Sequence, residues 1–425
     1  MIDLRLFRQD PDAFRRGLAR RQDPSLDAEL EKLGALDRRW RGLLGEVEAL
    51  KAERNTASEE VARRKRERRP TDDLLAALKE SGERVKALDA QIREVEQELE
   101  RAALGIPNLP AAAVPDGGAD ANRLVRSWGE PRQFDFRPRP HWEIGEALRL
   151  FDLPRGAKLS GSGFPLFTGM GARLVRALAA FMLDLHGREH GYLEVLPPYL
   201  VSRSTITGTG QLPRFEADMY GTSDDLFLIP TAEVPVTNIH RDEILDASSL
   251  PKGFVAYTPC FRREAFSHGK DTRGLIRVHQ FDKVELVRLA TPATSDAEHE
   301  KMTTHVEAVL RKLGLGYRVV ELAAGDTGFA SARTYDLEAW APGTDAWLEV
   351  SSSSTFTDFQ ARRANIRFRP APGAKPELVH TLNASALAFP RTIIALLENY
   401  QEADGTVRLP EPLAPYLGSD RLRPA

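Results

Sequence analysis

The chain has 425 residues, of which 42% are hydrophobic and 28% charged, which is enough for two or more domains. Its net charge is only -3 and Cys260 is its single cysteine, so the composition excludes a globally basic nucleic-acid binder, an intramolecular disulfide framework and a Cys-rich zinc site. Because no apolar run approaches the ~18 residues of a membrane span, we expect a cytoplasmic protein that makes no membrane contact.

The N-terminal region carries a heptad pattern. Mostly apolar or small residues alternate at spacings of four and three from Leu36 to Val61, and the spacing returns from Leu78 to Ala102. Such a repeat is typical of a coiled coil, and Pro70 lies where a turn would join the two helices. The pattern therefore predicts an antiparallel hairpin whose helices are each on the order of 45 to 60 Å long.

The predicted tip of this hairpin is strongly basic. Against a single acid, the sequence "VARRKRERRP" supplies the basic residues Arg63, Arg64, Lys65, Arg66, Arg68 and Arg69. Clustered cations suit a phosphate backbone. A dimerisation rod, the alternative use of a coiled coil, would gain nothing from charges that repel each other. The tip is therefore predicted to bind a nucleic acid.

A stretch rich in proline and glycine follows the hairpin and separates two predicted domains. We assign residues 1–104 to an N-terminal helical domain, 105–122 to a linker and 123–425 to a second domain. Strands of the second domain are predicted near residues 225–229, 253–261, 278–288, 317–322, 334–340 and 346–351, and helices near 171–187, 295–313 and 386–401. Few helices separate the strands, so the expected fold class is α+β, with a mainly antiparallel sheet flanked by helices.

The second domain lacks the sequence signatures of several common catalytic sites. It has no Walker A loop and no Rossmann glycine fingerprint, and the serines at 351–354 lack the elbow motif of a serine hydrolase. His186 and His190 in "HGREH" match an inverted zinc-protease motif by letter. The adjacent Gly187 and Gly191 would fray the helix that must carry both imidazoles, so we expect no zinc.

An arginine-rich segment between two predicted buried strands is the most specific feature of the chain. Residues 258–287 read "TPCFRREAFSHGKDTRGLIRVHQFDKVELV" and place Arg262, Arg263 and Arg277 near Phe281 and Glu285. The segments "PTAEVP", "WLEVSSSSTFTDFQARR" and "LNASALAFPRT" add the polar side chains of Thr231, Glu233, Glu349, Ser352, Asn383, Ser385 and Arg391. A site that binds a bent nucleoside triphosphate without a P-loop needs arginine guanidinium groups for the phosphates, an aromatic ring for the base and carboxylates able to hold magnesium. These segments supply all three.

These segments, in this order, resemble a bacterial-type seryl-tRNA synthetase, a class II aminoacyl-tRNA synthetase, over essentially the whole chain. "FRREA" with "GKDTRGLIRVHQFDKVELV" resembles the second class II signature in its seryl version, "LNASALAFPRT" the third and "GYLEVLPPYLV" the first. The resemblance implies a class II catalytic domain, a homodimer built on the first signature and a coiled-coil arm that binds tRNA. It also implies a serine–tRNA ligase that forms seryl-adenylate from L-serine and ATP and charges tRNA(Ser), and also tRNA(Sec).

The resemblance further implies the roles of individual residues. Those implied to bind ATP are Arg262, Arg263, Glu264, Arg277, Val278, Phe281, Glu349, Val350, Ser351, Ser352 and Arg391, with Mg²⁺ held by Glu349 and Ser352. Those implied to bind serine are Thr231, Ala232, Glu233, Arg262, Glu285, Asn383 and Ser385. Arg262 and Arg391 are the implied catalytic residues, and the basic tip of the arm is implied to bind tRNA. Which group meets the serine ammonium and which the hydroxyl stays open.

Four residues depart from the family pattern. Phe266 replaces a glycine of the second signature, Ala384 and Ala386 replace glycines of the third, and Pro390 directly precedes Arg391. We expect the two alanines to add methyl groups near the serine pocket. The charged and hydrogen-bonding positions are intact, which favours a working enzyme. The alternative is an adenylating paralogue that loads a carrier protein, and the basic arm favours tRNA instead.

Overall fold

The computed structural model describes residues 1–265 and 273–423, so Phe266 lies outside the described residues. The chain forms two compact units. The helical unit comprises Ile2–Ala19 and Asp23–Pro107, and the sheet unit comprises Met1, Arg20–Gln22 and Asn108–Ala425. Within the described ranges, no helix is both long and apolar enough to cross a membrane.

The helical unit is a hairpin of two long helices preceded by two short ones. Its helices are α1 (Leu4–Gln9), α2 (Pro11–Ala19), α3 (Ser25–Arg66) and α4 (Asp72–Gly105). Val47 of α3 is buried in one apolar cluster with Val85 and Leu88 of α4, and the other positions of the predicted seam are buried or half-buried. At 1.5 Å per residue, α3 and α4 are about 63 and 51 Å long. The predicted coiled-coil hairpin is confirmed.

The sheet unit has a central sheet covered by helices. Its helices are α5 (His141–Ala147), α6 (Leu153–Ser160), α7 (Gly169–Asp184), α8 (Arg203–Thr209), α9 (Glu233–Thr237), α10 (Ser295–Lys312), α11 (Phe359–Ala364), α12 (Phe389–Tyr400) and α13 (Ala414–Leu417). Its strands are β1 (Arg123–Trp128), β2 (Phe151–Asp152), β3 (Leu166–Phe167), β4 (Leu193–Glu194), β5 (Leu200–Ser202), β6 (Leu226–Leu228), β7 (Ile244–Asp246), β8 (Lys252–Phe261), β9 (Gln280–Ala290), β10 (Tyr317–Glu321), β11 (Arg333–Ala341), β12 (Ala346–Thr355), β13 (Arg367–Arg369), β14 (Glu377–Leu378), β15 (His380–Ala388), β16 (Val407–Arg408) and β17 (Arg421–Leu422).

The main sheet has eight strands in the order β1-β10-β11-β12-β15-β9-β8-β4. Neighbouring strands are antiparallel except β4 and β8, which are parallel. The predicted mainly antiparallel sheet is therefore confirmed. β8 and β9 pair from Lys252 with Leu289 to Phe261 with Gln280, and the arginine-rich segment joins their ends.

The core of the sheet unit lies between this sheet and the long helices. Its fully buried members include Leu178 of α7, Val306 of α10, Ile394 of α12 and Leu286 of β9. α7 is an apolar helix of 16 residues, and α12 buries most of its length. Burial of these side chains fixes the strands whose ends carry the predicted site residues.

Ala384 and Ala386 are fully buried in the same core. Successive side chains of a strand point to opposite faces, so Ala384 points away from Asn383 and Ser385, whose side chains hydrogen-bond to Glu285. The two methyl groups therefore fill the core. The effect of these methyl groups on the serine pocket stays a prediction.

Candidate active site

A cavity of about 610 Å³ opens beside the β8–β9 hairpin, β12, β15 and the start of α12. Its volume lies in the usual range for a small-molecule site, roughly 300 to 1,000 Å³. Of the predicted site residues, its lining includes Thr231, Glu233, Arg262, Glu264, Arg277, Val278, Phe281, Glu349, Val350, Ser351, Ser352, Asn383, Ser385 and Arg391. The fold thus gathers in one cavity residues that are up to 160 positions apart in the chain, from Thr231 to Arg391.

Arg262 and Phe281 lie together at the ends of β8 and β9. The Arg262 guanidinium carbon is 5.2 Å from the centre of the Phe281 ring, and Arg262 Nε donates to the Pro230 carbonyl at 3.2 Å. The Arg262 amide also donates to the His279 carbonyl at 2.9 Å. These contacts hold a cation and an aromatic face beside each other, an arrangement able to bind a phosphate and a purine.

Two further arginines of the lining are each paired with a glutamate. Arg277 Nη1 donates to Glu264 Oε2 at 2.6 Å. Arg391 Nη1 lies 3.2 Å from Glu349 Oε2 and donates to the Glu349 carbonyl at 2.9 Å. Each glutamate holds its arginine in the cavity and leaves other N–H groups of the fork available to an anion.

Arg263, Ala232 and Glu285 are predicted site residues that do not line the cavity. Arg263 Nε donates to the Met219 carbonyl at 2.9 Å, and its guanidinium carbon is 4.5 Å from the centre of the Tyr220 ring. Ala232 is fully buried in a small apolar cluster with Val236. The structure thus places Arg263 outside the cavity, where its side chain braces the chain around Met219.

Glu285 is the centre of a buried polar network directly behind the lining of the cavity. It is 1% exposed and receives a hydrogen bond from Asn383 Nδ2 at 2.7 Å and one from Ser385 Oγ at 3.4 Å. Lys283 forms an ion pair with Glu285 and donates to Thr231 Oγ1 at 2.8 Å. The network is therefore satisfied, and its members Thr231, Lys283, Asn383 and Ser385 present polar groups to a small ligand in the cavity.

Glu233, at the start of α9, is the second buried carboxylate of this wall. Its Oε1 accepts a hydrogen bond from Gln360 Nε2 at 2.6 Å. Burial, followed by the nearby charge of Glu285, raises the pKa of Glu233 to about 7. A carboxyl group with such a pKa is typical of a functional site, because a cationic ligand would stabilise its charged form.

Glu349 and Ser352 of β12 offer oxygen ligands that suit Mg²⁺, and a third group lies beside them. Asp336 of β11 pairs with Ser352 in the sheet register, and its Oδ1 is buried without a hydrogen-bond partner in the described part of the chain. Burial, followed by the charge of Glu349, raises the pKa of Asp336 well above its ordinary value. A cation here would relieve both the orphaned oxygen and the repulsion, so the residues fit a divalent metal.

No three His, Cys, Asp or Glu side chains within residues 1–265 and 273–423 come together as a metal-binding group. His186 and His190 of the "HGREH" motif contact each other, with their Nδ1 atoms 2.9 Å apart, and their π-helical turn, Leu185–Glu189, follows α7. Mg²⁺ commonly uses one or two carboxylates together with substrate phosphates, so the absence of a dedicated cage is compatible with a metal that arrives with a nucleotide.

Lys283, Gln360 and Asp336 are polar residues of this region that the sequence did not identify. Lys283 could have been suspected, because a lysine inside the apolar run "KVELV" is rarely buried without a partner. Gln360 and Asp336 carry no such local signal. Their roles depend on partners distant in sequence, such as Glu233, which lies 127 positions from Gln360.

The basic tip of the hairpin comprises the last turn of α3 and the turn that leads to α4. Several of its arginines form ion pairs: Arg63 and Arg64 with Glu60, Arg64 also with Asp73, and Arg69 with Glu67. Lys65, Arg66 and Arg68 are exposed and form no ion pair within the described residues. The tip thus presents free cations as well as paired ones.

Comparison with known proteins agrees with this geometry. Residues 1–110 match the model of the seryl-tRNA synthetase N-terminal domain, and residues 215–400 match that of the class II tRNA synthetase core domain (G, H, P, S and T). A serine–tRNA ligase of Geobacter sulfurreducens is 54% identical over 98% of this chain and 99% of its own.

Solved structures give the same result. Seryl-tRNA synthetase from Pyrococcus horikoshii, complexed with ATP, is 38% identical with a TM-score of 0.95, and each chain covers 100% of the other. A cytoplasmic serine–tRNA ligase from Naegleria fowleri, in complex with AMP, is 28% identical with a TM-score of 0.89 over 100% of this chain and 99% of its own. The class II fold is confirmed, and the protein belongs to the seryl-tRNA synthetase family.

Proposed function

We propose that the protein activates L-serine with ATP and transfers the seryl group to the 3′-terminal ribose of tRNA(Ser). The observation that carries this proposal is one cavity whose lining unites arginines and an aromatic ring suited to a nucleotide with the buried carboxylate of Glu233. The relatives from Pyrococcus and Naegleria, which hold ATP and AMP, support the nucleotide part. The carrier-protein alternative receives no support from these comparisons.

The first step needs positioning and electrostatics. The serine carboxylate, already ionised, attacks the α-phosphorus of ATP, and the bond to the pyrophosphate oxygen breaks to leave seryl-adenylate. In this proposal Arg262 binds the α-phosphate and Phe281 stacks on adenine, since these side chains lie together in the cavity. Arg277 and Arg391 take the charge that moves onto pyrophosphate. The terminal hydroxyl of tRNA then attacks the carbonyl carbon, and AMP leaves.

We further propose that Mg²⁺ accompanies ATP. Glu349 and Ser352 would hold it, and the orphaned oxygen of Asp336 supports a cation at this place. The metal would supply positive charge against the phosphate oxygens of ATP. Because the Glu349 carboxylate also pairs with Arg391, the same group would align a phosphate-binding arginine with the metal.

Serine would bind against the wall formed by Glu233 and the polar side chains in front of Glu285. Thr231, Glu233, Glu285, Asn383 and Ser385 provide the acceptors and donors that its ammonium and hydroxyl require. Glu285 already accepts hydrogen bonds from Asn383 and Ser385, so a ligand hydroxyl would join a fixed network. A substrate without that hydroxyl would leave buried polar groups unpaired, which is the basis of strong discrimination.

The proposed partners follow from exposed surfaces. The arm tip would bind the tRNA backbone, and the resemblance also predicts charging of tRNA(Sec), which a charging assay with that tRNA tests. A homodimer built on the first signature is supported by Leu193 and Leu196, which are 61% and 77% exposed in that signature. A cytoplasmic location is supported by the buried, unpaired thiol of Cys260.

The activation half of the proposal is tested by ATP–pyrophosphate exchange with purified protein and each amino acid in turn. Serine should support exchange far above every other amino acid. Exchange that another amino acid supports as well as serine would overturn the assignment. Omission of Mg²⁺ should abolish exchange, and Asp336→Asn should raise the Mg²⁺ concentration that gives half-maximal rate.

A further inference from the structure

Gln360 lies behind the proposed serine pocket, on α11, and is fully buried. Its Nε2 donates to the Thr209 carbonyl at 3.1 Å and to Glu233 Oε1 at 2.6 Å. Its Oε1 accepts a hydrogen bond from Thr381 Oγ1 at 2.7 Å. The amide thus links the end of α8, the start of α9 and β15.

The orientation of this amide is fixed by its neighbours. Turning it over would set Oε1 against the Thr209 carbonyl, which cannot donate to it, and against Glu233, which is also an acceptor when ionised. Both N–H groups of Gln360 are therefore used, one on Thr209 and one on Glu233. The Thr209 carbonyl oxygen can only accept a hydrogen bond, so one N–H of the Gln360 amide must point to it. The other N–H then points to Glu233.

This arrangement makes the two oxygens of Glu233 unequal. Oε1 always receives the Gln360 N–H, whereas Oε2 has no hydrogen bond to any residue that the structure describes. Glu233 lines the cavity and Gln360 does not. Oε2 is therefore the Glu233 oxygen with its full accepting capacity left, and it is the favoured position for a ligand donor or for a proton.

We infer that Gln360 is a positioning residue that favours the ionised form of Glu233 with Oε2 available to the amino-acid substrate, and so sets the affinity for serine. The inference rests on the proposed function, because it assumes that the substrate of this wall is an amino acid. Gln360 acts through Glu233 and touches no reacting atom. Thr381 acts through Gln360, because its hydroxyl donates to Gln360 Oε1 and holds the amide in the required orientation.

Proton binding to Glu233 competes with substrate binding at Oε2. The charged groups that face Glu233 are Glu285, which raises its pKa, and Lys283 and Arg262, which lower it. The Gln360 hydrogen bond also lowers the pKa, against the larger effect of burial. Loss of the Gln360 donor should therefore raise the pKa of Glu233 further, so that serine binding weakens at neutral pH and recovers at higher pH.

The test is Gln360→Leu in the full-length protein, assayed by serine-dependent pyrophosphate exchange over a range of pH. A hydrogen bond to a charged group is strong enough that we expect a rise of about 10- to 100-fold in the serine KM and a shift of the acid limb of kcat/KM by about one to two pH units upward. The KM for ATP should stay unchanged, because Gln360 makes no contact with the proposed nucleotide residues.

Gln401→Leu is the matched control. Gln401 is also a buried glutamine, and its Nε2 donates to the carbonyls of Arg139 and Glu398, away from the cavity. Its loss should lower thermal stability but leave the serine KM and the acid limb unchanged. Equal changes in the serine KM for both variants would assign Gln360 a merely structural role and overturn the inference.

Thr381 supplies a second test, which also serves if Gln360→Leu does not fold. Thr381→Val removes the hydroxyl that orients the amide and should raise the serine KM, whereas Thr381→Ser keeps the hydroxyl and should restore it. A wild-type serine KM and acid limb in Gln360→Leu, or in Thr381→Val, would overturn the inference. Failure of the unmodified protein to exchange with serine would instead overturn the proposed function.

Discussion

The basic tip of the arm provides a prediction in which the structure separates two sets of cations. The paired arginines, Arg63, Arg64 and Arg69, contact Glu60, Asp73 or Glu67. The unpaired cations, Lys65, Arg66 and Arg68, make no ion pair within the described residues. A cation already neutralised by a carboxylate contributes less to phosphate binding than one that meets only solvent, so the two sets should differ in tRNA binding.

The perturbation is replacement of all three unpaired cations by alanine, with replacement of all three paired arginines as the control. Each phosphate contact contributes roughly 0.7 to 0.9 to the slope of log K against log salt, so loss of three contacts should flatten the slope by about 2 to 2.7. The control should flatten it by less, because each paired arginine shares its charge with a neighbouring acid.

The assay is equilibrium binding of tRNA(Ser) at salt concentrations between about 50 and 200 mM. Serine-dependent pyrophosphate exchange without tRNA should be the same in both variants and in the unmodified protein, since the tip carries no cavity residue. An unchanged slope after removal of the unpaired cations would refute the reasoning. A slope change of equal size in both triple variants would refute the distinction between the two sets.

Substitutions and pH should separate the roles within the cavity. Arg262→Ala should lower the turnover of exchange, whereas Glu285→Ala should mainly raise the serine KM. Glu285→Ala should also destabilise the fold by about 3 to 5 kcal/mol, because it leaves Lys283 buried without its ion-pair partner. Equal changes of the serine KM in both variants, with turnover untouched, would contradict these roles. Alanine should be activated ~10⁴-fold less efficiently than serine, and threonine ~10- to 200-fold less, in competing exchange assays; comparable efficiencies would contradict the pocket. The pKa of Glu233 is about 7 in the folded protein against an ordinary 4.5, so the folded state binds this proton more tightly than the unfolded state. Protonated Glu233 therefore contributes to the free energy of unfolding below pH 4.5, and this contribution of about 3 kcal/mol is lost as the pH rises through 7. Denaturant unfolding between these pH values should show the loss in the unmodified protein and not in Glu233→Gln.

Much of the fold could be predicted because its elements carry strong local patterns. The heptads of the hairpin mark a seam, and positions such as Val47 and Val85 are buried there. The strands of the main sheet carry apolar runs that packing against long helices requires. The start of the helix in the third signature was predicted less accurately. The sequence predicts a helix from residue 386, but α12 begins at Phe389. β15 instead continues to Ala388, which pairs with Lys283 of β9 after an irregularity in the register, because tertiary pairing overrides the helix propensity of alanine and leucine.

The site could be predicted only where residue type and motif coincide. Arg262 and Arg391 lie in recognisable signatures, and both line the cavity. Arg263 lies in the same signature but turns toward Tyr220, a direction that depends on the packing of a distant loop. Gln360 and Asp336 could not be found, because each acquires its role from a partner on another element. Contacts of this kind have no local trace in a single sequence.

Charging of tRNA tests the central claim most directly. The full-length protein would be incubated with ATP, Mg²⁺, radiolabelled serine and tRNA(Ser), and the label attached to the terminal ribose would be counted. We predict stoichiometric charging with serine and none with alanine, and no charging of a tRNA that belongs to another amino acid. Formation of seryl-adenylate without transfer to tRNA(Ser), or charging with an amino acid other than serine, would contradict the account.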